Sequence, residues 1–190
     1  MVSAQFERAR RGLYTPRARA RASLPPPAQD LVRALSAIRA YRWAVTGLDL
    51  LTGLFHYLPA RYPHLVLIEP RGVEHARRAL ARSDILAIKP AAIREVWDAA
   101  PRRVAVLRSI TNFRGVPDGA HAATLERAFL DLLVEVRHHS FPYSKSDLQR
   151  IWREALRDES REQIASLGAQ LHLRPFFHTT STLGPETELF

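Results

Sequence analysis

The groups available for chemistry in this 190-residue chain are eight histidines, 19 carboxylates and 28 basic residues, of which only Lys89 and Lys145 are lysines. The histidines are the first candidates for metal binding. None falls in an H-E-x-x-H pattern. His138 and His139 are adjacent, so on a helix they diverge by about 100° and cannot readily share one ion. They are expected to close the C-terminus of a helix over 123–137, where an imidazolium complements the dipole. No metal site is expected. A restriction-type nuclease needs an acid and a lysine two residues apart on one strand face. Here Glu69 is followed by Pro70 and Arg71, and Asp84 precedes Lys89 by five positions. Glu69 and Asp84 stand as the acids of a divergent metal-dependent nuclease, an alternative reading only. Glycine-rich phosphate loops and a G-x-S-x-G elbow are both absent, so no cofactor is expected. Glu126, Asp131 and Glu135 lie along one helical stretch, with Asp131 and Glu135 one turn apart and Arg127 four residues before Asp131. This arrangement is expected to be a solvated face, with docking of arginine side chains as an intermediate role. No catalytic constellation emerges.

The net charge is +9. Within residues 1–22, Arg8, Arg10, Arg11, Arg17, Arg19 and Arg21 stand against Glu7 alone, giving +5 and leaving +4 for the remainder. Such an arm suits nonspecific contact with DNA phosphates. Pro16 and Pro25 to Pro27 break any long amphipathic targeting helix. The absence of cysteine excludes disulfides, thiolate metal sites and cysteine nucleophiles, and agrees with a reducing, cytoplasmic setting. The most apolar run, 43–58, is interrupted by Asp49 and His56 and is too short to span a bilayer, so no membrane partner is expected.

The elements that must position these groups follow from periodicity. Residues 4–14 read as a hairpin remnant or arm, and 15–27 as an extended linker. A helix over 28–40 places Leu31, Leu35 and Ile38 on one face. A buried helix over 46–57, capped by Thr46, comes next. Apolar runs at 64–69, 84–88 and 103–110 read as strands, separated by helices from Val73 and from Ile93. If the first two strands are parallel neighbours, their crossover should be right-handed. After a loop over 111–121, Leu125, Phe129, Leu132, Leu133 and Val136 make a helical stripe, and Leu148, Ile151, Trp152, Ala155 and Leu156 make another. Ser144-x-x-Asp147 and Ser160-x-x-Gln163 read as helix starts. The division is a basic arm over 1–27, an α/β domain (α+β as the variant) over 28–178 with a small mixed sheet flanked by helices, and a flexible tail over 179–190. The expected core is Leu31, Leu35, Leu50, Leu54, Val66, Ile68, Leu86, Ile88, Val104, Val106, Leu125, Phe129, Leu132, Leu133, Ile151, Trp152 and Leu156.

Several of these segments together resemble the antitoxin-type regulators of bacterial abortive-infection systems, a class of type IV toxin–antitoxin pairs. They are Arg11-Gly12-Leu13-Tyr14, the stretch 43–62 ending in Leu58-Pro59-Ala60-Arg61-Tyr62, the strand 65–69 with its terminal Glu69, and Thr124-Leu125-Glu126-Arg127-Ala128-Phe129-Leu130-Asp131-Leu132. The last segment is similar to the family's glutamate-basic-x-apolar-apolar-aspartate helix and is the most specific. The resemblance covers about residues 6–172. It implies a winged helix that binds operator DNA, an α/β domain, and neutralisation of a nucleotidyltransferase-type toxin as protein partner. Too few residues precede Arg11 for the three helices of a winged helix, so residues 1–27 are expected to be the remnant of its wing. Arg8, Arg10, Arg11, Arg17, Arg19 and Arg21 are the candidate DNA contacts, and Glu126, Arg127 and Asp131 mark the signature helix. A DNA-binding regulator without a toxin partner is the second alternative.

Overall fold

A computed structural model describes residues 6–8, 14–16, 24, 26–54, 61–99, 103–139, 141–173 and 185–189. It is an α/β fold built on a small mixed sheet. Strands β1 (Phe6–Arg8) and β2 (Tyr14–Pro16) form a separate antiparallel pair, Arg8 opposite Tyr14. This agrees with a hairpin near the N-terminus. Of the six candidate arginines only Arg8 falls on a described strand; Arg10, Arg11, Arg17, Arg19 and Arg21 lie outside the described residues.

The main sheet has four strands, β3 (Trp43–Thr46), β4 (His64–Ile68), β5 (Ile85–Ile88) and β6 (Arg103–Ser109), in the order β3-β4-β6-β5. The pair β3–β4 is antiparallel, while β4 and β5 both run parallel to β6. The strands near 64–69 and 84–88 are therefore not neighbours: β6, the last strand in sequence, inserts between them. It is also the longest strand, and its interior run Val104–Leu107 is buried on both faces, as a central parallel strand requires. The outer edge of β3 is closed by the chain itself, where Val45 N–H donates to His121 O and Ala123 N–H to Val45 O.

Helices α1 (Pro26–Leu35) and α3 (Val73–Ala81) cover one face, burying Leu31, Leu35, Ala76 and Leu80 against Val66, Ile68, Ala105 and Leu107. The other face carries α2 (Leu48–Leu51), α4 (Ile93–Val96), α5 (Leu125–His138), α6 (Lys145–Arg150) and α7 (Asp158–Gln170), around Leu65, Val104, Val106, Phe129, Leu133 and Trp152. The crossover from β4 to β5 passes through α3 on the first face, and the return to β6 passes through α4 on the second. Right-handed crossovers running in opposite directions across one sheet require this. Both crossovers leave their strand identically: Glu69 and Lys89 are extended, and Pro70 and Pro90 open one 3-10 turn (Pro70–Gly72 and Pro90–Ala92) that feeds the helix. Proline suits this first position because its missing N–H would have no partner there.

The expected core is buried at Leu31, Leu35, Val66, Ile68, Ile88, Val104, Val106, Phe129, Leu132, Leu133, Ile151, Trp152 and Leu156, and half-buried at Leu50, Leu54, Leu86 and Leu125. Ser144 caps α6 as expected, accepting from Ser146 N–H, while Asp147 pairs with Arg150. Three local expectations are corrected. Thr46 ends β3 instead of capping a helix, and the helix that follows is the short α2, entered through Gly47 at φ 72°. The run of branched and aromatic residues Trp43, Val45 and Thr46 favours strand. Second, α7 begins at Asp158, so Ser160 sits inside it. Third, part of the expected flexible tail is anchored: Leu189 is fully buried, its N–H donates to Gln149 Oε1, and Gln149 Nε2 donates to Thr187 O. Among the described residues, no helix is long and apolar enough to cross a membrane.

Between α6 and α7 the chain makes a π turn, Ile151–Ala155, and Arg161 holds the joint. Its buried guanidinium donates to Trp152 O at 2.8 Å, Arg153 O at 2.9 Å and Asp158 Oδ1 at 2.6 Å. The first two are carbonyls of the kind that a helix end leaves without intrahelical partners. Arg161→Ala is expected to lower the stability to urea unfolding by about 2–4 kcal/mol, because it orphans these acceptors. Arg161→Lys should recover only part of the loss, since an ammonium lacks the planar fork that reaches all three. Equal stability of Arg161→Ala and the parent would refute this assignment.

Candidate functional site

The signature helix carries the most concentrated polar cluster of the domain, and it points inward. Thr124 caps α5 by accepting from Arg127 N–H. One turn of separation then stacks Arg127 beneath Asp131 and Asp131 beneath Glu135. All three are buried: Arg127 2%, Asp131 1% and Glu135 0% exposed. The expected solvated face is thus corrected, because this stripe of α5 packs onto the sheet, between β3 and β6. Arg127 Nε lies 3.0 Å from both oxygens of Asp131. Asp131 also accepts from Thr46 Oγ1 of β3 at 2.8 Å and from Arg108 Nη1 of β6 at 3.2 Å. Arg127 Nη1 reaches the other way, to Arg114 O at 2.6 Å and Asn112 O at 3.2 Å, fixing the loop that leaves β6. Gly115 permits this closeness: its φ is +79°, and a Cβ there would lie 2.7 Å from Arg127 Cβ. Glu126 is half-buried and takes no part in the cluster.

Glu135 is the unbalanced member. Among the described residues neither carboxyl oxygen has a hydrogen-bond partner, and Arg108 Nη1 lies 3.6 Å away. Burial pushes its pKa up to about 7, against the pull of Arg108 and with the push of Asp131. One turn on, His139 donates its backbone N–H to Glu135 O. Burial, with His138 and Arg108, lowers its pKa, so its ring favours the neutral form. That revises the expected imidazolium. His138 and His139 stand 6.4 Å apart at the end of α5, and no group of three metal-ligating side chains is present among the described residues.

A second buried cluster escaped sequence reasoning. Asp49 of α2 is buried and accepts from Tyr62 Oη at 3.0 Å, and His64 Nδ1 lies 2.9 Å from Asp49 Oδ2. Burial and Asp49 both raise the Tyr62 pKa, so the phenol stays protonated. An aspartate inside an apolar run and a histidine opening an apolar strand were the only signals in the sequence. The three groups satisfy one another and clamp α2 to the start of β4.

The nuclease acids are not brought together. Glu69 follows the C-terminal end of β4, whereas Asp84 precedes β5, and both strands run parallel to β6. They therefore stand at opposite ends of the sheet, separated by about 15 Å of strand. Asp84 is exposed with φ 54°, a left-handed turn position that aspartate tolerates.

The raised pKa of Glu135 sets a pH dependence. The folded state holds this proton up to about pH 7 and an unfolded chain releases it near 4.5. The penalty is thus absent below pH 4.5 and complete above pH 7, reaching about 3 kcal/mol. Glu135→Gln is expected to raise the melting temperature at pH 8 and to leave it nearly unchanged at pH 4.5; an equal shift at both pH values would contradict it. Asp131→Ala, which strands two buried arginine contacts, should destabilise by about 3–5 kcal/mol at pH 7 in the same melts. Comparison with protein-family models, with curated proteins and with solved structures returns no match to this chain.

Proposed function

We propose that the chain is a non-enzymatic, antitoxin-like binding protein of the cytoplasm that neutralises a nucleotidyltransferase-type protein toxin. The observation that carries this reading is the inward commitment of α5. The motif on which the resemblance to abortive-infection antitoxins rests, Glu126 with Arg127 and Asp131, supplies Arg127 and Asp131 to a buried brace between β3, β6 and the 112–114 loop. Such a motif maintains a scaffold and leaves recognition to the outer surface. That surface is rich in arginine, with Arg33, Arg39, Arg71, Arg78 and Arg82 exposed on and around α1 and α3, and the chain carries +9 overall. A basic face favours an acidic partner and speeds its capture.

One observation favours a second role as regulator of its own operon. The antiparallel ribbon β1–β2 includes Arg8, and the sequence around it is arginine-rich. A two-stranded ribbon is the form taken by the wing of a winged helix, and arginines there suit phosphate contacts.

Growth of a host expressing the adjacent gene, with and without this protein, tests the main reading. Arrest by the neighbour and rescue by this protein is the expected result, with rescue weakened when α1 and α3 arginines are changed to glutamine in a variant that still melts normally. A harmless neighbour, or toxicity that persists, overturns it. The regulator role requires binding to its own promoter fragment over a scrambled one at ~150 mM salt.

A further inference from the structure

The sheet has one topological switch point. From the end of β4 the chain turns to the face of α1 and α3, and from the end of neighbouring β6 it turns to the face of α5. In open α/β sheets, the crevice outside the carboxyl ends of two such strands is where ligands bind. Here that crevice is an open cavity of about 500 Å³, lined by Arg42, Thr111, Asn112, Arg114 and Asp118 over Phe113 and Val116. Arg42 reaches it because it precedes β3, which runs antiparallel to β4; its carbonyl accepts from Glu69 N–H at the β4 end. The remaining residues belong to the loop leaving β6.

Two arginines line this space with guanidinium donors to spare. Arg42 uses Nη2 alone, toward Val116 O and Asp118 Oδ1, both at 3.0 Å. Arg114 uses Nη1 alone, toward Gln170 Oε1 at 3.0 Å. The other donors of both groups have no hydrogen-bond partner among the described residues. Arg42 is held in place by the Phe113 ring, 4.9 Å beneath its guanidinium. The same contact covers that ring, so it offers no face for a nucleobase. Behind the cavity, Arg127 fixes the carbonyls of Asn112 and Arg114, so the loop is braced before any ligand arrives. The one acid at the site, Asp118, is fully exposed and rests on Arg42, where an incoming anion oxygen would sit.

We propose that this crevice binds a phosphate group, held by Arg42 and Arg114, with the Asp118 carboxylate as the built-in competitor that the phosphate displaces. The phosphate belongs either to a small phosphate ester or to a nucleic-acid backbone. The test is calorimetric titration of the full chain, at constant ionic strength, with inorganic pyrophosphate in one arm and a short mixed-sequence DNA duplex in the other. Arg42→Gln and Arg114→Gln are each expected to weaken binding about tenfold, in keeping with loss of one charge-assisted contact. Arg114 is exposed, so its variant keeps the test open if Arg42→Gln melts early. Asp118→Asn should tighten binding several-fold, whereas Glu154→Gln, in the π turn that precedes α7, should not. Arginine-dependent binding of pyrophosphate supports a small ester, and arginine-dependent binding of DNA alone supports a backbone phosphate. Binding of neither, binding indifferent to Arg42 and Arg114, or equal gains from Asp118→Asn and Glu154→Gln overturns the proposal.

Discussion

The contact between Arg127 and Asp131 is the constraint on which the rest of this fold depends. Two ions buried on one helix turn lose most of their hydration, and their mutual attraction offsets that loss only when every remaining donor and acceptor is met. Here they nearly all are. Asp131 takes a hydroxyl from β3 and a guanidinium from β6, and Arg127 takes two loop carbonyls. The pair therefore fixes the register of α5 against two strands at once. An apolar stripe alone would tolerate a slip of one turn; this one cannot slip without burying an unpaired charge.

Glu135 shows what that arrangement leaves over. It shares the stripe of Asp131 and the approach of Arg108, yet its carboxyl makes no hydrogen bond among the described residues. The second buried cluster is self-contained by contrast, since Asp49 is satisfied by Tyr62 and His64. Beside the Arg161 joint, the described residues thus hold a balanced polar brace, a balanced clamp and an acid that is comfortable only when protonated.

Much of the fold was legible in the sequence. Apolar runs marked β4, β5 and β6, and the stripe from Leu125 to Val136 marked α5, because periodicity reflects burial directly. Strand order was not legible: β4, β5 and β6 are similar short apolar segments, and the two inner strands, β4 and β6, are both buried on both faces. Thr46 and Ser160 misled because hydroxyl residues that cap helices also serve inside strands and helices. The polar stripe of α5 misled for a deeper reason. Charges at helical spacing look the same whether they meet water or a sheet, and what distinguished them was Arg108, the charge inside the strand 103–109 beyond its opening Arg103, whose side chain the sequence does not connect to α5. The crevice at Arg42 was likewise invisible, since it joins residues some seventy positions apart.

The insertion of β6 between β4 and β5 has a consequence for how the molecule is made. A ribosome delivers β3 and β4 together, and they can pair at once as an antiparallel unit. Strand β5 emerges next with no neighbour available, since each of its sheet contacts is to β6. Its hydrogen-bonding edge and the apolar pair Ile85 and Ile88 must wait until the chain has reached Ser109. Only α3, already packed along β5 in the finished fold, can shield it meanwhile. The interval between residues 88 and 109 is thus the window in which a nascent chain is most exposed to misassociation.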